Sequence, residues 1–310
     1  MTLEAGEAGS ETRCGFVALI GAPNAGKSTL LNALVGAKIS IVSRKVQTTR
    51  TQIRGIAMEG RTQIIFVDTP GIFNPKRRLE TAMVTSAWGG AADADIVAVL
   101  IDVTRHDDEA QEAVLTRLAD VRQPKLLILN KIDLIERPQL LAMAEKLNQR
   151  IGFAATFMVS ALTGSGVKGI LADLGQRLPK GPWLYPEDEI SDAPLRFLAA
   201  EITREKIFER LHDELPYRST VETESWKTLK GGDVRIEQVI FVERESQRKI
   251  MLGEKGQTIK AIGSAARKEI AEAAEAKVHL FLFVKVRENW TDDPERYREM
   301  GLEFPKATKG

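Results

Sequence analysis

Cysteine is nearly missing from this sequence: Cys14 is the only one in 310 residues. A single thiol excludes an internal disulfide framework and fits a reducing compartment, and no zinc or thiol-protease pattern surrounds it. Histidine is scarce as well, and His212 and His279 have no partners at metal-ligand spacing, so both read as structural. No run of about 18 apolar residues occurs, which excludes a spanning helix from the expected elements. The opening MTLEAGEAGSETR is polar and acidic without an apolar centre; it reads as a disordered tail rather than a secretory leader. Basic residues number 44 against 43 acidic ones, so net charge gives no bias toward a polyanionic partner and only local clusters can. What is present is 43% hydrophobic content in a chain long enough for two domains.

The first half alternates β-branched runs with helical patterns. Residues 15–21, 52–60, 61–68, 95–102, 124–130 and 155–160 read as strands, several of them apolar at consecutive positions, as in a parallel sheet buried on both faces. Val114, Leu115, Leu118 and Val121 form one helical stripe; Leu140, Met143, Ala144 and Leu147 form another; Val167, Ile170, Leu171 and Leu174 form a third. The Gly turn in AMEGRT predicts one antiparallel pair. A mostly parallel, doubly wound α/β domain over 15–178 follows. Residues 178–194 carry four prolines, the composition of a stiff, extended linker (179–194). Beyond it lie a helix at about 194–212, strands at 218–226 and 234–243, helical sequence from 248 to 275 and a strong strand in KVHLFLFVKV. Fewer strands and clustered helices predict a small α+β domain over 195–291, leaving 292–310 as a tail.

Between the first strand and a helical segment stands GAPNAGKS: Gly21, Ala22, Pro23, Asn24, Ala25, Gly26, Lys27 and Ser28, with Thr29 next. The glycines let backbone N–H groups face phosphate oxygens, and the helix N-terminus adds a favourable dipole. Lys27 is placed to reach the β- and γ-phosphates, and Ser28 to ligate Mg²⁺. Asp68, Thr69, Pro70 and Gly71 end the third strand, with Asp68 directed toward the metal and the Gly71 N–H toward the γ-phosphate. In VQTTR a threonine can complete the metal shell, Thr49 in preference to Thr48. Asn130, Lys131 and Asp133 of NKID follow another strand, as a base-recognition loop does. Asp133 can accept two hydrogen bonds from guanine, and adenine offers no such donor pair, so an unpaired carboxylate would penalise ATP. Asn130 orients that loop and Lys131 can lie over the base. Ser160 and Ala161 close the last strand, where the Ala161 N–H is expected at guanine O6.

Together GAPNAGKS, QTTR, DTPG, NKID and SAL resemble the five guanine-nucleotide motifs of the TrmE–Era–EngA class of GTPases. The downstream PYRSTVETE, IMLGEKGQTIKAIGSAARKEI and VHLFLFVKVRENW are similar to the C-terminal type II KH domain of the Era family within it. The resemblance implies GTP hydrolysis with GTP/GDP and Mg²⁺, binding to the 3′ end of 16S ribosomal RNA, and a part in small-subunit maturation. It further implies a monomer in the cytoplasm with weak peripheral contact at the inner membrane. No single catalytic side chain is assigned; Asn24, Lys27, Thr49 and Gly71 support the chemistry. Ile72 stands where many GTPases carry a water-orienting glutamine, and hydrophobic residues are usual there in this family. Asn24 resembles the asparagine that in related GTPases helps to bind K⁺ beside the phosphates.

The RNA module rests on GEKG, a G-x-x-G loop of Gly253, Glu254, Lys255 and Gly256 between two helical segments. Such a loop clamps the backbone of about four unpaired nucleotides. Arg248, Lys249, Lys260 and Arg267, with Arg244 and Lys268, surround it with basic charge. On residues alone this cluster reads more readily as a solvated helix face; the resemblance implies an RNA site. Ile259, Ile262, Ala266 and Ile270 form a core stripe.

Overall fold

The computed structural model describes residues 11–105, 108–288 and 290–305. The first domain is built on six strands: β1 (Arg13–Gly21), β2 (Ile53–Glu59), β3 (Thr62–Asp68), β4 (Ile96–Asp102), β5 (Lys125–Asn130) and β6 (Ala155–Val159). They lie in the order β2-β3-β1-β4-β5-β6, and β2–β3 alone is antiparallel. Strand β4 is buried at every position, because helices cover both faces of the sheet. Helices α1 (Lys27–Val35) and α5 (Val167–Arg177) lay Leu30, Leu31, Ile170 and Leu174 on one face. Helices α2 (Arg78–Asp93), α3 (Glu109–Arg117) and α4 (Arg137–Arg150) lay Trp88, Val114, Leu140 and Leu147 on the other. The expected doubly wound sheet is therefore present. Strand β1 begins at Arg13, inside the segment read as a tail; residues 1–10 of that tail lie outside the described residues.

The proline-rich segment is strapped rather than free. Gln63 on β3 accepts the N–H groups of Leu184 and Tyr185, Trp183 donates to the Arg61 carbonyl, and Ser191 bridges to Gly55. The prolines remove donors while the edge strand β2, its neighbour β3 and the turn between them supply polar partners for what remains.

The second domain starts with α6 (Leu195–Arg210), followed by β7 (Ser219–Thr228) and β8 (Val234–Val242). Then come α7 (Glu245–Leu252), α8 (Gln257–Ala273) and β9 (Val278–Val286). Strand β8 is central, antiparallel to β7 and parallel to β9. Helices α6 and α8 cover one face with Ile202, Ile207, Ile262, Ala266 and Ile270. This is the expected α+β order.

The reading of 292–310 as a tail needs correction. A short α9 (Pro294–Glu299) and its flanks pack on α2 of the first domain, where Trp290, Tyr297 and Leu302 close a cluster with Leu79, Ala82 and Met83. Trp290 is 1% exposed and Tyr297 0%. Arg78 pairs with Asp292 at 3.0 Å, and Trp290 Nε1 donates to the Arg218 carbonyl. Trp290 and Tyr297 stand seven residues apart, but only polar residues and Pro294 lie between them, so no amphipathic run marked the segment. Residues 306–310 lie outside the described residues.

Replacing Trp290 with Ala removes the plug of this cluster and is expected to cost about 3–5 kcal/mol. Amide exchange in α2 should accelerate in the variant; unchanged exchange across 78–93 would show that α2 does not depend on the clamp.

Candidate functional site

At the carboxyl ends of β1, β3, β5 and β6 the sequence motifs converge. Gly26 caps α1 with φ 96, and a Cβ there would meet the Asn130 amide at 2.3 Å, so the loop has no room for a larger residue. Asn130 staples three motifs together. Its Nδ2 donates to the Ala25 carbonyl at 2.8 Å, and its Oδ1 accepts the Ala161 N–H at 3.0 Å. That second bond corrects one expectation: the Ala161 N–H is engaged by Asn130 rather than left free for a base. Lys131, at φ 69, turns its ammonium onto Asp102 at 2.5 Å. Asp133 is exposed rather than buried, in a 3₁₀ turn, and accepts no hydrogen bond from the described residues. Ser160 is buried and its hydroxyl accepts the Thr163 N–H.

The other end of the site is a cluster of oxygens. Ser28 Oγ donates to Asp68 Oδ2 at 2.6 Å and lies 2.9 Å from Thr49 Oγ1, and Ser40 Oγ donates to the same carboxylate oxygen at 2.9 Å. Asp68 is 0% exposed, and its Oδ1 has no hydrogen-bond partner. Burial pushes its carboxyl up from the usual range, while the hydroxyls of Ser28, Ser40 and Thr49 and the Lys27 charge pull it back. A buried orphan carboxylate oxygen beside two hydroxyls is a hard-oxygen donor set, which fits a small divalent cation such as Mg²⁺. Thr49 is in this cluster and Thr48 is not; the Thr48 hydroxyl bonds to Ser43 and the Lys45 carbonyl.

Gly71 sits against the phosphate loop so closely that a Cβ would meet Pro23 Cα at 2.9 Å. The neighbouring Ile72 N–H donates to the Gly21 carbonyl at 3.1 Å, and the Ile72 side chain is buried among Ala87, Ala91 and Val99. Thr69 spends its hydroxyl on the Leu19 carbonyl. Asn24, at φ 63, donates to the Arg44 carbonyl at 2.8 Å. Lys27 is 6% exposed with its ammonium on the Gly21 and Ala22 carbonyls, and burial lowers its pKa from 10.5 to about 8.

Around the second domain's loop, Gly253–Gly256 joins α7 to α8 with Lys255 at φ 48. Lys249, Glu254, Lys255, Lys260 and Arg267 are exposed. Arg248 differs: its Nε donates to the Val284 carbonyl and its Nη1 to Glu245, so it ties α7 to β9.

The segment linking Ser40 to Thr51 also touches the second domain directly. The Val42 N–H donates to Glu205 at 2.7 Å, Lys38 pairs with Glu205 and Glu269, and Lys45 donates to the Phe208 and Leu211 carbonyls. Arg50 reaches the carbonyls of Ser219, Pro216 and Tyr217 at 2.8–3.2 Å. Sequence reasoning missed these residues; an unpaired Arg beside a metal-site threonine was the one available signal.

A phosphate-loop α/β domain joined to a domain with a G-x-x-G loop between helices defines the class: a GTPase carrying a KH module. A family model described as 50S ribosome-binding GTPase matches residues 16–131, and one described as KH domain matches residues 214–291. "GTPase Era" of Afipia carboxidovorans is 68% identical over 295 residues, covering 95% of this chain and 96% of its own. "GTPase Era" of Bradyrhizobium diazoefficiens is 64% identical over 307 residues, 99% of this chain and 100% of its own. A solved structure of Era with MgGDPNP and nucleotides 1506–1542 of 16S ribosomal RNA superposes with TM-score 0.88 at 36% identity, covering 94% of this chain and 99% of that one. The chain belongs to the Era family of GTPases.

The low pKa of Lys27 has a measurable sign. Between pH about 8 and 10.5 the folded, nucleotide-free protein binds fewer protons than the unfolded chain, so this group adds stability as pH rises through that window. A bound triphosphate restores the ammonium, so nucleotide binding at about pH 8.5 should take up a proton and at about pH 6.5 should not. Calorimetry in buffers of different ionisation enthalpy reads this, and zero uptake at the higher pH would contradict it.

Proposed function

We propose that this chain is a GTP-gated RNA-binding factor that acts on the 3′ end of 16S ribosomal RNA during small-subunit maturation. The observation that carries the reading is the direct bond between the two halves: Thr49 joins the Ser28–Asp68 cluster, and the next residue, Arg50, holds three carbonyls at the entry to β7. The contact between the halves runs through residues 38–51.

In this reading Gly21–Thr29, Asp68–Gly71, Asn130, Lys131, Asp133 and Ser160 bind the nucleotide, and Ala161 holds Asn130 in place. Ser28, Thr49 and Asp68 hold Mg²⁺, which supplies neutralisation of charge on the β- and γ-phosphates. Lys27 leaves the loop carbonyls to meet phosphate oxygens, and the Gly71 N–H faces the γ-phosphate. Loss of that phosphate removes what orders Thr49 and the turn after Asp68, and Arg50 passes the change to the KH entry. Lys249, Gly253–Gly256, Lys260 and Arg267 contact RNA, with Arg248 positioning α7. This reading divides the chain into 15–178, the strap 179–194 and 195–291, and adds the element 290–304 that packs back on α2. Weak peripheral contact with the inner membrane and a monomeric state complete the proposal; among the described residues no helix is long and apolar enough to cross a membrane.

A second reading, a constitutive RNA binder with nucleotide as structural ligand, makes a different prediction. RNA affinity should differ among the GTP-analogue, GDP and nucleotide-free states in the gated protein; three equal affinities would favour the second reading. Asp133→Asn should shift preference from GTP toward xanthosine triphosphate, and unchanged GTP specificity would remove Asp133 from base recognition. Turnover should be faster in K⁺ than in Na⁺ and Asn24→Ala should abolish the difference; equal rates in both salts would exclude an ion held by Asn24.

A further inference from the structure

Between the segment after Thr49 and the second domain lies a cavity of about 390 Å³, within the size range of small-ligand sites. Its charged lining is Arg50, Arg196, Arg204 and Arg296 against Glu201 and Glu222. Glu201 is bonded to Arg204, and Glu222 to Arg296. Arg50 has backbone carbonyls as its acceptors, and Arg196 donates to the Thr223 carbonyl, so among the described residues neither of these two guanidiniums forms an ion pair with a carboxylate.

Three buried polar atoms of the same lining have no hydrogen-bond partner: Arg50 Nε, Thr51 Oγ1 and Arg204 Nη1. Arg50 is 3% exposed and Arg204 2%. Leaving such donors unmade costs about 1–3 kcal/mol each, and more for charged groups. Arg50 and Arg204 line the same cavity, so their like charges oppose one another. Water can satisfy hydroxyl and N–H groups but leaves the excess charge in place. A tetrahedral oxyanion does both, and a phosphate monoester carries a charge of about −2, equal to the excess of arginines over glutamates in the lining.

We propose that this cavity is a binding site for a phosphate group, held by Arg50, Arg204, Thr51 and, at its exposed mouth, Arg196. Thr51 and Arg50 adjoin Thr49, and Arg204 also donates to the Thr48 carbonyl, so the ligand braces the segment that completes the metal cluster. The site is separate from the phosphate loop and from the G-x-x-G loop, and it does not rest on the RNA reading. The phosphate comes either from a small phosphorylated compound or from a strand of RNA.

Equilibrium dialysis of radiolabelled inorganic phosphate against the full chain, saturated with Mg²⁺ and a non-hydrolysable GTP analogue, tests it. One saturable site is expected. Arg196→Gln, an exposed position that spares the core, should weaken it roughly tenfold, the value of one charge-assisted hydrogen bond. Lys255→Ala in the G-x-x-G loop should leave it unchanged. Displacement by an RNA of nucleotides 1506–1542 of 16S ribosomal RNA would assign the phosphate to the strand, and retention would assign it to a free compound. Absence of saturation up to about 10 mM phosphate, or equal binding by the Arg196→Gln variant, would overturn the proposal.

Discussion

A guanidinium taken out of water must find acceptors for its donors, and Arg50 finds them on the far side of a domain boundary. Its Nη atoms hold the carbonyls of Pro216, Tyr217 and Ser219, and its plane lies 5.8 Å from the Trp290 ring centroid. One residue earlier, Thr49 lies in the oxygen cluster around Asp68. Two adjacent residues on one stretch of backbone thus answer to two domains. The polar cost of moving Arg50 away is high because its carbonyl partners lie in a buried corner where water does not replace it cheaply. The position of the KH domain and the shape of the oxygen cluster around Asp68 therefore constrain one another.

The nucleotide end of the site obeys a different constraint, close approach. Asn130 bonds both to the phosphate loop and to the loop after β6, so motifs more than a hundred residues apart in sequence are fixed by one amide. Gly26 and Gly71 exist to let backbone come near, the first under Asn130 and the second against Pro23. Phosphate recognition by backbone N–H groups requires such proximity, since a side chain in either place would hold the loops apart.

Much of this was legible in the sequence because it is local. Consecutive apolar residues in β4 and β5 announced a sheet covered on both faces, and the phosphate loop announced itself by glycine spacing between a strand and a helix. Contacts between domains were not legible. Lys38, Lys45, Arg50 and Arg204 look like ordinary surface charges until folding brings carbonyls and carboxylates 150 or more residues away against them. The same holds for Trp290, Tyr297 and Leu302, which stand in a largely polar stretch interrupted by Pro294 and Gly301 yet whose side chains fill one cluster on α2. The exposure of Asp133 was not legible either, because the sequence does not show which face of the turn after β5 meets solvent.

Helix α2 is where these constraints meet. Its N-terminal turn carries Leu79 and Met83 into the cluster of the C-terminal segment, while Ala87 and Ala91 further along share a core with Ile72. Ile72 follows Gly71 directly, and its N–H is bonded to Gly21. An apolar residue at this position therefore has a mechanical role: it anchors the turn after Asp68 to the helix that the C-terminal segment grips. A glutamine in its place would bring a polar amide into an apolar core at a cost of about 1–3 kcal/mol. A side chain so anchored cannot also orient a water, and the same burial joins the turn after Asp68 to α2. Displacement of that turn is then felt at Trp290 and, through its contact with the Arg218 carbonyl, at the entry of β7, the same corner that Arg50 reaches from the metal side.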